Sequence, residues 1–285
     1  MNRPTRRRPA REVALDPAVD WLRIYQSVAL REFPSDMRIG LNLAFYRTFA
    51  VPGIAHLLDH TGETVARPAK RSYDTALVIY ELITAGFDGD RGRKMSRLLN
   101  RAHRPWPITD EDYLYVLTTF IVVPTRWIER HGWRPITEVE RVATVNFYRE
   151  LGRRMNLRTL PTTYEEAVAT FDAYEAQHLA GSAEGQRLMD ATLVLFQNRL
   201  PRRARPHTAN IVSSLINDPS LTAALGLPSP NRVLARLILA GYGVRNFQHR
   251  WSPAPSESWF KPGAPVRDVY PNGYTLDQIG PSTPS

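Results

Sequence analysis

Arg71, Asp74 and Thr75 stand together in R-S-Y-D-T at the head of an apolar stretch, and His103 closes the next one in M-S-R-L-L-N-R-A-H. Arg71 and Thr75 are four residues apart, so on a helix both project from one face, with Asp74 beside them. His103 continues a stripe that holds Leu99 one turn back and Met95 two turns back. One imidazole and a few polar groups directed at a greasy interior is the donor set a buried haem iron requires. The same residues also read as plain structure: a solvent-facing arginine with a capping threonine, and a core histidine bonded to backbone. Position adds a condition. At a helix C-terminus the macrodipole favours the protonated ring, whereas iron takes the neutral one, so ligation by His103 has to displace a proton.

Other chemistries lack their residues. The chain has no cysteine, which excludes a thiolate-ligated haem, an iron–sulfur cluster and thiol catalysis. No H-E-x-x-H, G-x-S-x-G, G-x-G-x-x-G or G-x-x-x-x-G-K is present. His56 and His60 are four apart with Asp59 nearby, but no third ligand stands at a persuasive spacing. His131 ends a helix in R-H-G-W, where a capping role suffices, and His178, His207 and His249 have no company that suggests catalysis.

The elements that must position these residues read as helical almost throughout. Asp16-Pro17 signals a helix start with Trp21, Ile24, Tyr25 and Val28 on one face. Further helices are expected at 36–49, from Pro52 to Leu58, at 72–87 and at 91–103. Thr109 and Asp112, then Thr137 and Glu140, have the spacing of helix caps. The helix opening at Thr109 is apolar on every side and belongs at the centre, with a kink expected at Pro124. Helices near 163–179, 182–198, 207–216 and 231–242 complete the pattern, and no period-two strand or repeat intervenes. The sequence thus predicts an all-α fold: a disordered basic arm at 1–15, one helical domain at 16–250, and an extended segment at 251–285.

At 285 residues and 43% hydrophobic content the chain can bury one large core. Its net charge is +9, and Lys70, Lys94 and Lys261 are its only lysines. The arginines cluster at Arg3, Arg6, Arg7, Arg8 and Arg11, and again at Arg199, Arg202, Arg203 and Arg205. Such clusters can touch anionic lipid or nucleic acid, or simply be solvated. No apolar run approaches the roughly 20 residues needed to span a bilayer, and the early arginines are not followed by the apolar stretch of a signal peptide. The expected location is the cytoplasm. No specific nucleic-acid partner is expected, and peripheral membrane contact is assigned to the basic arm.

Several ordered blocks resemble the family of MpaB-type oxygenases and latex clearing proteins, the rubber oxygenases. They are E-F-P-S-D-M-R at 32–38, F-Y-R-T-F-A-V-P at 45–52, T-G-E-T-V-A-R-P-A-K-R-S-Y-D-T at 61–75 and G-F-D-G-D-R-G-R at 86–93. N-R-A-H at 100–103, D-E-D-Y-L-Y-V-L-T-T-F at 110–120, P-T-R-W-I-E-R-H-G-W-R-P at 124–135 and E-L-G-R-R-M-N-L at 150–157 complete them. The resemblance spans most of the chain, from about 16 to 274. It implies a globin-like helical fold holding a b-type haem. His103 matches the histidine that holds the iron, and Arg71 and Thr75 match an R-x-x-x-T pattern on a preceding helix, at an interval close to that of the family.

The activity implied is oxidative cleavage or oxygenation of a carbon–carbon double bond in an apolar, isoprenoid-like substrate by dioxygen. Rubber-cleaving relatives carry a lysine just before the threonine, where this chain has Asp74. An anion there is expected to alter the distal side of the haem or to accept a proton, and polymeric rubber is not the expected substrate. Glu63 is the nearest upstream carboxylate available as a base. The alternative within the family is a non-catalytic protein that binds haem or an apolar ligand. Outside it stands a basic helical protein that binds nucleic acid.

Overall fold

The computed structural model of the chain describes residues 15–251, 255, 257–266 and 269–280. The basic arm expected at the start lies outside the described residues, apart from Leu15. Among the described residues there are thirteen α-helices and one isolated antiparallel bridge between Val266 and Tyr270. The all-α expectation holds.

A turn capped by the Asp16 carboxylate, which accepts from the Ala18 N–H at 2.9 Å, precedes α1 (Trp21–Ser27). The chain then widens into a π-turn over Val28–Glu32 and continues as α2 (Pro34–Phe49). α3 (Pro52–His60) and the single turn α4 (Glu63–Ala66) lead to α5 (Pro68–Ala85) and α6 (Asp90–His103). α2, α3 and α5 each begin with proline at a position where its missing N–H costs no helical bond.

α7 (Asp110–His131) is capped by Thr109, whose hydroxyl accepts from the Asp112 N–H at 3.0 Å. α8 (Glu138–Arg154) opens with the full capping box between Thr137 and Glu140. Then follow α9 (Tyr164–His178), α10 (Ala183–Arg199), α11 (Thr208–Ile216), the short α12 (Pro219–Ala224) and α13 (Arg232–Trp251).

α7 lies at the centre, as its all-round apolarity requires. Tyr115, Leu117, Ile121, Val122, Trp127 and Ile128 are buried, and its main neighbours are α2, α9 and α8. It runs to His131 as one helix through Pro124. The proline backbone sits against Gly40 of α2, where a Cβ would collide with it. That close approach brings α2 and α7 together.

The larger core gathers α1, α2 and α5–α9, and a smaller one gathers Phe49, Leu188, Met189, Val212, Leu221 and Leu225. Beyond Trp251, Phe260, Tyr270, Tyr274, Leu276 and Ile279 are all buried in the larger core.

α5 and α6 form an antiparallel hairpin. Gly86 ends α5 with φ +69, a conformation that favours glycine. A Cβ on Gly92 would strike the Gly86 carbonyl, so α6 starts in direct contact with the turn. The closed end is locked by Glu81 and Arg91, which pair at 2.5 and 2.7 Å through both carboxylate oxygens. At the open end, the first turns of α5 meet the last turn of α6. Arg71, Thr75 and His103 sit there.

Candidate functional site

The hairpin brings together three of the residues singled out in the sequence. His103 Nδ1 lies 2.8 Å from the Leu99 carbonyl. A carbonyl oxygen only accepts, so Nδ1 carries the proton and Nε2 keeps its lone pair. No partner holds Nε2 among the described residues. Burial lowers the ring's pKa from its ordinary 6.5; the Leu99 contact opposes this, and nearby Arg71 adds to it. The Leu99 contact thus leaves Nε2 open, and burial acts toward the neutral ring that a metal takes. Desolvation acts against the helix C-terminus, which taken alone favours the protonated ring. The Tyr113 ring of α7 lies against it, 5.8 Å between centroids.

Arg71 is the second feature. Its guanidinium donates to the Thr75 hydroxyl, which in turn donates to the Arg71 carbonyl at 3.0 Å. Burial lowers its pKa, and Asp74 and Glu63 offset this only in part. No carboxylate pairs with it among the described residues. A half-buried cation held by a hydroxyl is electrostatically incomplete, because charges withdrawn from water are ordinarily matched by an opposite one.

Asp74 has a different environment. It is 5% exposed. Oδ1 accepts from the Tyr270 hydroxyl at 2.6 Å, and Oδ2 accepts from Lys70 Nζ at 2.5 Å and the Gly280 N–H at 2.9 Å. These partners turn the carboxylate toward the C-terminal segment. Glu81, two turns on, faces the same way and accepts from the Tyr274 hydroxyl at 2.5 Å. Glu63 pairs with Arg67.

Thr75 borders a cavity of about 50 Å³ between α2, α5 and α7. Leu41, Phe45, Ala76, Ile79 and Phe120 form its apolar wall, and Arg38, Asn42, Ser72 and Tyr80 its polar part. No carboxylate lines it. Sequence reasoning missed all four polar residues. Arg38 and Asn42 carried the i, i+4 signal of a shared helix face, whereas Tyr80 was hidden in an apolar run. The Tyr80 hydroxyl is buried and has no hydrogen-bond partner among the described residues. Neither His103 nor Asp74 lines this cavity.

No three-residue cluster of metal-binding side chains occurs among the described residues. His56 is exposed toward Glu184, and His131 packs on Trp127. A group bearing its own iron and its own carboxylates is what this donor set suits: one neutral imidazole nitrogen and one unpaired cation a helix turn away from Asp74. A cavity of 50 Å³ holds about one or two waters. That space is too small for a planar macrocycle, and His103 does not border it.

Comparisons with known proteins agree with this helical arrangement. A sequence profile of the family described as "ER-bound oxygenase mpaB/B'/Rubber oxygenase, catalytic domain" matches residues 34–246. The chain is 27% identical to the ER-bound oxygenase mpaB' of Penicillium brevicompactum, over 90% of this chain and 76% of that protein. It is 29% identical to the ER-bound oxygenase mpaB of Penicillium roqueforti, over 68% of this chain and 72% of that protein. Its fold is similar to that of latex clearing protein in the closed state, with a TM-score of 0.55 and 17% identity over 88% of this chain and 71% of that one. With its profile match running from the start of α2 into α13, the chain belongs to the mpaB and rubber oxygenase catalytic-domain family.

Proposed function

We propose that the protein is a haem-dependent oxygenase that acts with dioxygen on a carbon–carbon double bond of an apolar, isoprenoid-like substrate. The observation that carries this reading is the open Nε2 of a half-buried His103, whose Nδ1 is held by the Leu99 carbonyl, beside an arginine lacking a carboxylate. When bound, haem b supplies the redox-active iron that brings dioxygen to the alkene.

The chain's own residues do the rest. His103 holds the iron through Nε2, and the Leu99 carbonyl fixes the ring by keeping the proton on Nδ1. Arg71, oriented by Thr75, is the cation that receives the cofactor's carboxylates. Leu41, Phe45, Ile79 and Phe120 exclude water and accept an apolar chain. Asn42, Ser72 and Tyr80 are the hydrogen-bonding groups at that wall. Asp74 acts as a positioning residue, holding α5 against the C-terminal segment. A cytoplasmic setting is part of this reading; no helix among the described residues is long and apolar enough to cross a membrane.

The test is an absorption spectrum of purified protein with iron analysis. A Soret band is expected, and His103→Ala should lose the chromophore on gel filtration or shift its band sharply. Full haem content with unchanged coordination in that variant removes the assignment. The apolar wall of Leu41, Phe45, Ile79 and Phe120 serves equally a second reading, a haem or apolar-ligand binder without turnover. Dioxygen uptake by haem-loaded protein in the presence of candidate alkenes separates the two.

A further inference from the structure

α13 presents two unlike sides. Its inner side is anchored: Arg245 donates to the Asp36 carboxylate at 2.9 Å, and Asn246 donates to the His131 carbonyl. Its outer side is apolar and uncovered. Val233, Leu237, Val244, Phe247 and Trp251 are each 55–66% exposed, with exposed Ala240 between them. The spacing of these six positions, alternately four and three residues, keeps them on one stripe along the helix. At 1.5 Å per residue, that stripe is roughly 27 Å long. Scattered exposed apolar residues are normal, but a continuous stripe of this length marks an interaction surface.

The charge around the stripe says what it meets. Between 191 and 256 the sequence contains eight arginines and a single acid, Asp218. That acid is already engaged, capping α12 and lying 3.3 Å from Arg47. Arg202, Arg203, Arg205, Arg232 and Arg236 pair with no carboxylate among the described residues, unlike Arg47, Arg91, Arg126, Arg134, Arg141 and Arg154 elsewhere. At the foot of the stripe, α11 and α13 enclose an open groove of about 640 Å³. Arg203, His207 and Asn210 line one part of it, and Ile211, Val233 and Leu237 another. Cationic and amide groups adjoining an aliphatic wall match a phosphate headgroup followed by its acyl chain.

We propose that the outer side of α13, with α11, docks on the surface of an anionic lipid bilayer. Val233, Leu237, Val244, Phe247 and Trp251 enter the boundary between headgroups and acyl chains, and Arg203, Arg232 and Arg236 meet the phosphates. A second copy of the chain is disfavoured as the occupant, because pairing two such faces sets arginine against arginine. Nucleic acid satisfies the charge but leaves the apolar stripe in water. The surface is separate from the His103 site and from the N-terminal arm, so the proposal stands independently of the haem reading.

The test is co-sedimentation of the full chain with vesicles of phosphatidylcholine, with and without phosphatidylserine. Binding is expected to the mixed vesicles, weakening as salt rises. Leu237→Asp combined with Phe247→Asp should lower the partition coefficient by about tenfold or more, with an unchanged melting temperature. Changing Arg3, Arg6, Arg7, Arg8 and Arg11 to glutamine should leave most of the binding in place. Brominated acyl chains should quench tryptophan emission in the unaltered protein, and Trp251→Phe should remove that quenching, a readout that does not depend on the double variant folding. Unchanged partitioning of a folded double variant overturns the proposal, as does loss of binding in the arm variant alone. A dimer in sedimentation that the double variant dissociates, without vesicle binding, assigns the face to a second copy. Retention of duplex DNA without vesicle binding assigns it to nucleic acid.

Discussion

Two sides of α5 hold buried charge in opposite ways. On one, Asp74 and Glu81 have every carboxylate oxygen engaged, by Lys70, Tyr270 and Gly280 in the first case and by Arg91 and Tyr274 in the second. On the other, Arg71 has only the Thr75 hydroxyl. The first arrangement is complete within the protein, so its residues serve the fold. The second has no carboxylate partner among the described residues, which is the arrangement expected of the anion-binding group proposed above. Within one helix, the degree of electrostatic completion is thus the feature that distinguishes Arg71 from Asp74 and Glu81.

The largest test of the contrast is Arg91→Met. It leaves Glu81, which is 0% exposed, with only the Tyr274 hydroxyl, and should cost about 3 kcal/mol in urea unfolding. A loss below about 1 kcal/mol means that the closed end of the hairpin is not held by this pair. Asp74→Asn removes the charge that Lys70 and the Gly280 N–H meet, and should cost about 1–2 kcal/mol. Amide exchange should quicken across 276–280 while haem retention persists. Arg71→Met should do the reverse. Stability of the haem-free protein stays within about 1 kcal/mol of the parent, because an unmatched charge is removed, and haem is retained poorly. A large stability loss in Arg71→Met, with haem retention unchanged, erases the distinction.

The smallest effect is one of pH. Burial depresses the pKa of His103 and of His131 below 6.5. A depressed group stabilises the fold fully above its unfolded value and loses that contribution as pH falls below it. Stability should therefore decline from about pH 6.5 downward, and His103→Gln should make that decline shallower. Under the ligation proposed above, the Soret band should persist to below pH 6.5, because proton competition for Nε2 is weakened.

Local signals were legible where both partners lay within a few residues. The caps at Thr109 and Thr137 and the helices carrying Arg71 and His103 are of that kind. α4 and α12, at four and six residues, were too short to show a period. The helix expected near 231–242 is longer than that, although Gly241 and Gly243 weaken it locally. It continues to Trp251, secured by Arg245 on Asp36 and Asn246 on His131, contacts that local pattern does not encode. The first helix likewise begins at Trp21 rather than at Asp16, whose side chain instead closes a turn. The direction of Asp74 was illegible for the same reason. Its tyrosine partner is 196 residues away, and its sequence neighbours gave only its proximity to Thr75.

That separation has a consequence for biosynthesis. While the ribosome is still making the middle of the chain, α5 carries two carboxylates whose tyrosine partners do not yet exist, so it cannot bury that side without a penalty. Lys70 and Arg91 meet these carboxylates early, and residues 270–280 add the remaining donors. The segment over residues 270–280 is thus what closes the seam, through the Tyr270 and Tyr274 hydroxyls, so the covering of α5 depends on a stretch made long after the helix itself.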